Sequence, residues 1–275
     1  MKVLILTSSD HLYANYALAS LLRSGVFANC QLTVLEQSWI VPGKGDLSGL
    51  WTYLTKSGII YVLLQGIKKE LFVFRRLLDE KRHATHSPFY PYAKLLPRGV
   101  IPRHYHGMKS DEAYHLIRST IRPDCILSLY SKELIPERIL SIPQYGAVNL
   151  HPGYLPRDRG VSPTFWALAN GEEFGGVTLH YLAQGIDTGK IIARLRIPLC
   201  GIHNEHELYM ACTTLGISFI RDYFAHIQKH TPIKTIGNGG KDTAYHSLPS
   251  ARAVGQFFRT GNVFFFLRDF IGDHV

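Results

Sequence analysis

Asn149 and His151 are the first residues whose types and spacing suggest chemistry. They belong to the stretch 147–153, which starts as a short apolar strand and ends in a loop rich in proline and glycine. Because side chains two residues apart in a strand share one face, we expect this amide and this imidazole to point the same way, while Val148 and Leu150 anchor the strand in a core. Such a pair by itself is more typical of side chains that only satisfy loop backbone groups.

A carboxylate in a second, glycine-flanked turn adds to the pattern. Asp187 lies in the sequence Gly-Ile-Asp-Thr-Gly of residues 185–189, between two runs rich in β-forming residues. We predict a helix between the two motifs, because Ser162 suits an N-cap, Pro163 suits the first helical position and Asn170-Gly171 suits a C-terminal stop. An amide, an imidazole and a carboxylate are therefore expected near the ends of neighbouring strands.

The complete ordered set of motifs resembles the folate-dependent formyltransferases, the family that includes glycinamide ribonucleotide, methionyl-tRNA and sugar N-formyltransferases. The shared residues are Asn149-Leu150-His151-Pro152, Leu155-Pro156, Arg159-Gly160, Asn170-Gly171-Glu172, Gly176-Val177-Thr178 and Gly185-Ile186-Asp187-Thr188-Gly189. An ordered match over roughly residues 123–198 is far more specific than an Asn-x-His pair. A weaker resemblance extends back to residue 1.

The resemblance implies an α/β, Rossmann-like fold with a mostly parallel sheet flanked by helices, and transfer of a formyl group from 10-formyltetrahydrofolate to a primary amine. It implies that Asn149 and His151 donate to the oxyanion that develops on the formyl group. It also implies that Asp187 holds the imidazole and helps to accept the amine proton. Residues implied for binding the folate are Ser128, Leu129, Tyr130, Ser131, Ala183, Gly185 and Ile186; residues considered for the acceptor are Tyr154, Arg157 and Arg159.

The identity of the acceptor amine is predicted only by analogy with members of this family. A methionyl-tRNA enzyme of this family carries a sizeable C-terminal domain, whereas only residues 230–275 follow the predicted closing helix here, and a glycinamide ribonucleotide enzyme lacks the segment 51–110. A nucleotide-linked amino sugar is the best expectation. The alternatives are an amino acid, peptidyl or methionyl-tRNA amine, and a non-catalytic relative that binds folate or nucleotide. Many members have serine where this chain has Gly153, which is expected to alter how the acceptor is held.

The N-terminal third predicts a parallel sheet. An apolar strand at residues 2–6 is followed by a helix at 12–23 and a second strand at 32–35, a β-α-β order typical of sheets covered by helices. No Gly-rich nucleotide fingerprint follows the first strand, which argues against a dinucleotide-dependent dehydrogenase. The predicted domains are a catalytic domain at 1–229, with 51–110 as a helical and loop insertion, and a C-terminal appendage at 230–275.

Residues 51–82 combine many large apolar side chains with lysines and arginines in a helical period. We expect this helix to dock on the sheet, because its large apolar residues need burial; contact with a membrane surface or a partner is the alternative. Residues 83–110 read as a long surface connection. The pairs His83 with His86 and His104 with His106 lack cysteine or paired acidic ligands nearby, so no metal is expected.

The net charge and the spacing of the cysteines limit which partners and which cellular location we expect. The net charge of +9 over 275 residues favours an anionic partner, such as folate polyglutamate or a phosphorylated amine, although dispersed charge is equally typical of a solvated surface. No basic block occurs, so nucleic acid is not expected. The four cysteines show no Cys-x-x-Cys spacing, which indicates a reducing, cytoplasmic location. The phenylalanines of 257–270 are expected to cover a core edge, with a homodimer interface left open.

Overall fold

The computed structural model describes residues 1–8, 11–37, 46–105, 107–131, 133–240 and 242–271. The strands of this part of the chain are β1 (Lys2–Ser8), β2 (Gln31–Gln37), β3 (Arg103–His104), β4 (Cys125–Leu129), β5 (Ala147–His151), β6 (Arg159–Gly160), β7 (Phe174–Tyr181), β8 (Ile191–Pro198) and β9 (Tyr245–His246). Seven of them form one sheet in the order β3-β2-β1-β4-β5-β7-β8, and β6 pairs with β9.

The helices of the described residues are α1 (Leu12–Arg23), α2 (Asp46–Lys81), α3 (Asp111–His115), α4 (Glu137–Leu140), α5 (Pro163–Ala169), α6 (Glu205–Gln228), α7 (Ala251–Arg259) and α8 (Arg268–Ile271). A short 3₁₀ turn covers Tyr92–Leu95, and α3 continues into a wider π turn over Leu116–Ile121. No helix among these residues has the length and apolar content needed to cross a bilayer.

The sheet is mostly parallel, with helices on both faces, as expected for this fold class. The strands β1, β2, β3, β4 and β5 pair in parallel, whereas β7 runs antiparallel to both β5 and β8. Successive residues of β1 enter opposite cores: Val3 and Ile5 pack on one side, and Leu4 and Leu6 on the other. A strand buried on both faces must be apolar at every position, which explains the continuous apolar run at the start of the chain.

Residues 83–110 are more ordered than a surface connection, so that prediction was wrong. Phe89 and Tyr92 are buried in the main core, and β3 extends the sheet at its edge. Asn15 on α1 fixes this segment, because its side-chain amide donates to the Tyr90 carbonyl (3.0 Å) and its oxygen accepts from the Tyr92 amide (3.1 Å). Isolated aromatic residues between prolines have no period, so no helical or strand pattern could be recognised here.

Helix α2 docks on the core through one face only. Its axis is interrupted at Gly58, whose φ of 82° lies in the left-handed region. Tyr61 and Phe72 are buried against the core, as expected of a docking helix. The expectation that its large apolar side chains are buried was wrong for many others, which remain exposed. Among the described residues no group of histidine, cysteine and acidic side chains could hold a metal ion, and His106 lies outside them.

The C-terminal phenylalanines pack into the main core. Phe257 is fully buried, with its ring stacked at 4.9 Å on Phe165 of α5 and at 4.7 Å on Phe264. Phe270 is also buried, whereas Phe266 is partly exposed. The expectation that this cluster covers a core edge is therefore confirmed, and the last described residues stabilise the same core as the sheet.

Replacing Phe257 with alanine should destabilise the whole fold by about 3–5 kcal/mol, because it removes a buried ring and leaves a cavity. Thermal unfolding followed by circular dichroism measures the effect. Phe266→Ala is the matched control, since its ring is partly exposed and should shift the melting temperature much less. Equal shifts for the two variants would mean that the C-terminal segment does not stabilise the core.

Candidate active site

The antiparallel pairing of β5 and β7 brings two polar side chains together at the edge of the parallel sheet. Asn149 lies directly opposite His180, and its side-chain amide donates to His180 Nε2 at 3.2 Å. The other ring nitrogen of His180, Nδ1, donates to the carbonyl of Tyr181 at 2.8 Å. Because a carbonyl can only accept, this bond fixes the tautomer and leaves Nε2 to accept from the amide. His180 therefore orients Asn149.

His151 lies two residues beyond Asn149 and is buried. Its Nε2 donates to the Asp158 carbonyl at 2.6 Å, and its Nδ1 lies 3.7 Å from Asp187 Oδ2. Both ring nitrogens thus face acceptor oxygens, and the ring is held between a carbonyl and a carboxylate.

Asp187 completes the group from the turn between β7 and β8, where its backbone adopts a φ of 50°. Oδ1 lies 3.5 Å from His180 Nε2, and Oδ2 accepts the Gly160 amide at 2.9 Å. Burial alone raises the pKa of the Asp187 carboxyl. The nearby imidazole of His151 and the Gly160 hydrogen bond outweigh burial and hold that pKa well below its usual range. Asp187 is therefore ionised at neutral pH.

The loop after β5 is pinned beneath these groups by Thr178. The Thr178 hydroxyl donates to the Gly153 carbonyl at 2.7 Å and accepts from the Leu155 amide at 3.1 Å. A Cβ at Gly153 would lie 2.7 Å from His151 Nε2 and 2.9 Å from both the Asp158 and Pro163 Cβ atoms. Glycine at this position therefore allows the loop to close on the imidazole.

Two arginines of the loop hold protein groups. Arg157 binds both carboxylate oxygens of Asp158, at 2.9 and 3.0 Å, and donates to the Phe174 carbonyl at 2.8 Å. Arg159 donates to the Asn238 carbonyl at 2.6 Å, and its buried Nε has no hydrogen-bond partner. Both side chains thus brace the loop, and their role in acceptor binding stays a prediction.

Asn238 ties the C-terminal segment to the catalytic turn. Its side-chain amide donates to the carbonyls of Asp187 and Gly189, both at 2.8 Å. Gly160 is also pressed against this segment: a Cβ there would lie 2.1 Å from the His246 carbonyl oxygen. Asn238 and His246 therefore take part in positioning Asp187, although the sequence indicated only a turn near Asn238.

The residues predicted to bind folate lie at the adjoining strand end. Ser128 pairs directly with Asn149 across β4 and β5, and Ser128 and Leu129 are both buried. Tyr130 turns the chain with a φ of 57°, and its hydroxyl lies 2.9 Å from that of Thr213. The Ser131 hydroxyl donates to the side chain of Gln37 at 3.0 Å. Lys132, which follows Ser131, lies outside the described residues.

The remaining predicted residues fall on two sides of Asp187. Gly185 and Ile186 are exposed in the turn that carries Asp187, and Ala183 is half-buried there. Tyr154 instead packs beside β7 and β8, with its ring 5.4 Å from Phe174 and under the guanidinium of Arg194 at 4.5 Å. Ala183, Gly185 and Ile186 therefore share the neighbourhood of Asp187, whereas Tyr154 faces an arginine-rich surface.

Three residues of this constellation were missed by reasoning from the sequence: His180, Asp158 and Asn238. His180 could have been predicted from the sequence, because it lies two residues after Thr178 in β7. The two residues pair with His151 and Asn149 of β5, so all four side chains share one face of the sheet. Asp158 acts mainly through its backbone carbonyl, and Asn238 through a contact 51 positions away in the chain. Neither contact leaves a pattern in residue spacing.

Comparisons with known proteins point to one family. The formyl transferase family model matches residues 92–220. The methionyl-tRNA formyltransferase of Macrococcus caseolyticus is 35% identical over 183 residues, which are 66% of this chain and 58% of that protein. The chain thus spans somewhat more than half the length of this relative.

Solved structures share the fold at low sequence identity. A sugar N-formyltransferase from Shewanella superposes with a TM-score of 0.57 at 14% identity, over 94% of this chain and 87% of that one. An N-formyltransferase from Helicobacter canadensis, in complex with folinic acid and dTDP-3-aminofucose, gives a TM-score of 0.52 at 17% identity, over 90% of this chain and 71% of that one. The resemblance seen in the motifs is confirmed, since residues 92–220 match the formyl transferase family.

Proposed function

We propose that this protein transfers the formyl group of 10-formyltetrahydrofolate to a primary amine. The observation that carries the proposal is the convergence of Asn149, His151 and Asp187, which lie on two strands and a turn. His151 Nδ1 lies 3.7 Å from Asp187 Oδ2, and His180 Nε2 lies between the Asn149 amide (3.2 Å) and Asp187 Oδ1 (3.5 Å). An amide donor, a cationic ring and an ionised carboxylate are the groups that acyl transfer to an amine needs.

The proposed reaction is a direct transfer through a tetrahedral intermediate. The amine nitrogen attacks the formyl carbon, a C–N bond to the acceptor forms, and the bond from the formyl carbon to folate N10 then breaks. One proton leaves the amine and one proton reaches N10, so no oxidant, metal or enzyme nucleophile is needed. The second N–H of the Asn149 amide, which His180 does not use, donates to the developing oxyanion.

His151 and Asp187 act together in this proposal. While His151 donates to the Asp158 carbonyl, it stabilises the oxyanion through its positive charge rather than through a direct hydrogen bond. Asp187 keeps the ring in that state and orients the amine. Because its pKa is held low, Asp187 is a weak base, so we propose that the amine proton moves through Asp187 only transiently or through water.

The donor pocket is proposed at the carboxyl end of β4 and along the turn before Asp187. Ligands of α/β sheets bind outside the carboxyl ends of the strands, and this end of β4 adjoins Asn149 through the register of Ser128. The residues assigned to it are Ser128, Leu129, Tyr130, Ser131, Ala183, Gly185 and Ile186.

The division into a catalytic domain and a C-terminal appendage at residue 229, and a cytoplasmic location, also remain proposals.

For the acceptor we propose a nucleotide-linked amino sugar. Support comes from the fold neighbours, of which one is a sugar N-formyltransferase and one is in complex with an amino sugar nucleotide. Methionyl-tRNA is the second candidate, since the relative found by sequence is a methionyl-tRNA formyltransferase. A panel of amino sugar nucleotides, amino acids, glycinamide ribonucleotide and methionyl-tRNA, analysed by mass spectrometry, tests both. Failure of every amine to gain a formyl group would refute the proposed activity.

Asp187→Asn and His151→Ala should each lower turnover by a factor on the order of 10²–10⁴. The first change removes the anion that holds the imidazole, and the second removes the cation beside the oxyanion. Steady-state kinetics with the acceptor found in the panel measures the loss. Asp222→Asn is the matched control, because the Asp222 carboxylate is exposed on α6, and this variant should retain wild-type turnover. Near-normal turnover of the Asp187 variant would remove that carboxylate from the mechanism.

5-Formyltetrahydrofolate should raise the melting temperature by roughly 5–10 °C at a concentration about one hundred times its Kd. The reason is that ligand bound only to the folded state stabilises it by mass action. Asp187→Asn should keep most of this shift, since the pterin is proposed to lie on backbone groups. A chain that shows no shift with folate but a shift with nucleotide would instead be the non-catalytic relative.

Gly153→Ala should lower turnover on the order of 10²-fold while changing the folate-induced shift little. Its Cβ would meet His151 Nε2 at 2.7 Å, so either the imidazole or the loop must move. Gly255→Ala on α7, where a Cβ meets nothing within 4 Å, is the control for a general effect of adding a methyl group. An unchanged turnover in Gly153→Ala would show that this close approach is not needed for catalysis.

A further inference from the structure

Helix α2 turns apolar side chains away from the protein. Trp51 is 68% exposed, Leu63 58%, Phe74 65% and Leu77 58%. With Ile60 and Ile67, which are also exposed, Leu63, Phe74 and Leu77 form a row along the outer face of α2 after the break at Gly58, and we call this row the apolar stripe. From Ile60 to Leu77 the stripe extends over about five helical turns. Contiguous exposed apolar surface of this extent marks a site of interaction.

The inner face of α2 carries the polar groups, so the helix cannot rotate to bury the stripe. Lys68 is buried with its Nζ 3.6 Å from Glu205 Oε2. Arg75 is buried too, bound to Asp79 at 2.9 Å and donating to the Phe270 carbonyl at 3.2 Å. Turning α2 by half a turn would expose the apolar contacts of the core and would leave buried charges unpaired, at a cost of several kcal/mol each. The outward direction of the stripe is therefore fixed.

Positive charge is concentrated in the same segment. Residues 46–105 contain ten lysines and arginines but only four acidic residues, a net charge of +6 out of +9 for the whole chain. The exposed basic residues are Lys56, Lys69 and Lys81 of α2 and Arg82, which follows the helix. Long basic side chains beside an apolar stripe are typical of helices that lie in a membrane interface, where the charges reach the anionic headgroups.

A second copy of the chain is the competing occupant, since the 3- and 4-residue spacing of Ile60, Leu63, Ile67, Phe74 and Leu77 also suits a helical partner. Charge decides between the two. Two copies that met through α2 would bring together two helices that each carry a net positive charge, +2 over residues 46–81 and +3 with Arg82, and these helices repel each other, whereas an anionic bilayer attracts both. We propose that α2 docks this protein on the surface of an anionic phospholipid membrane, lying parallel to the bilayer with the stripe below the headgroups.

Vesicle flotation tests this proposal without reference to enzymatic activity. The wild-type protein should float with vesicles of equal parts phosphatidylglycerol and phosphatidylcholine, should bind pure phosphatidylcholine at least tenfold more weakly, and should be released by salt. Leu63→Glu combined with Phe74→Glu should lower binding at least tenfold with an unchanged melting temperature. Leu195→Glu, on an exposed leucine of β8, is the matched control and should bind as wild type.

Three further readouts locate the contact. Replacing Lys81 and Arg82 with glutamine should weaken binding roughly fivefold for each charge removed. Glu70→Gln should strengthen it, because Glu70 is exposed beside the stripe, and a folding defect cannot produce that gain. The fluorescence of Trp51 should shift to the blue on binding, and Trp51→Phe should bind with most of this shift lost.

Two results would overturn the proposal. One is the absence of binding to anionic vesicles at low salt. The other is a wild-type protein that is dimeric by light scattering and becomes monomeric in the Leu63 and Phe74 double variant, with no vesicle binding in either form. That second result would assign the stripe to a second copy.

Discussion

A single buried carboxylate organises the candidate site. Asp187 faces two imidazoles, His151 and His180, and accepts a backbone amide from Gly160. An ionised carboxylate that is mostly removed from water is stable only when charges and donors compensate for the lost hydration. Each of the surrounding elements can be understood as supplying one of these compensations, and the same contacts fix the imidazole and the amide in one orientation.

Backbone geometry makes this compensation possible. The parallel register of β4 and β5 places Ser128 beside Asn149, and the antiparallel register of β5 and β7 places Asn149 opposite His180. Gly160 lets its strand approach the C-terminal segment. In that segment, the side-chain amide of Asn238 donates to the Asp187 carbonyl and so holds the turn. Formyl transfer needs no mobile nucleophile, so a rigid set of donors and charges suits the proposed reaction.

Local sequence predicts the parts of this fold that repeat with a period. Helix α1 has the predicted bounds, and β1 and β4 follow from continuous apolar runs. The three central site residues came from an ordered set of motifs rather than from any one of them. Ser162 precedes α5 as expected, but in a left-handed conformation and without a side-chain cap.

Contacts that depend on tertiary structure could not be predicted in this way. The edge strand β3 and the buried Phe89 have no period, and Asn238 acts through a distant turn. Helix α2 is the clearest example: its apolar residues suggested burial, but Lys68 and Arg75 find partners inside the protein, which directs the stripe outward. The sequence shows that α2 has apolar and basic positions, but it does not show which of them are buried.

The most direct test of the central claim is a crystal structure with 5-formyltetrahydrofolate bound. The account predicts a pterin at the carboxyl end of β4 and a formyl oxygen within about 3 Å of the Asn149 side-chain amide. It also predicts that His151 and Asp187 flank the formyl carbon. A folate bound elsewhere, or a formyl group beyond the reach of all three side chains, would contradict it.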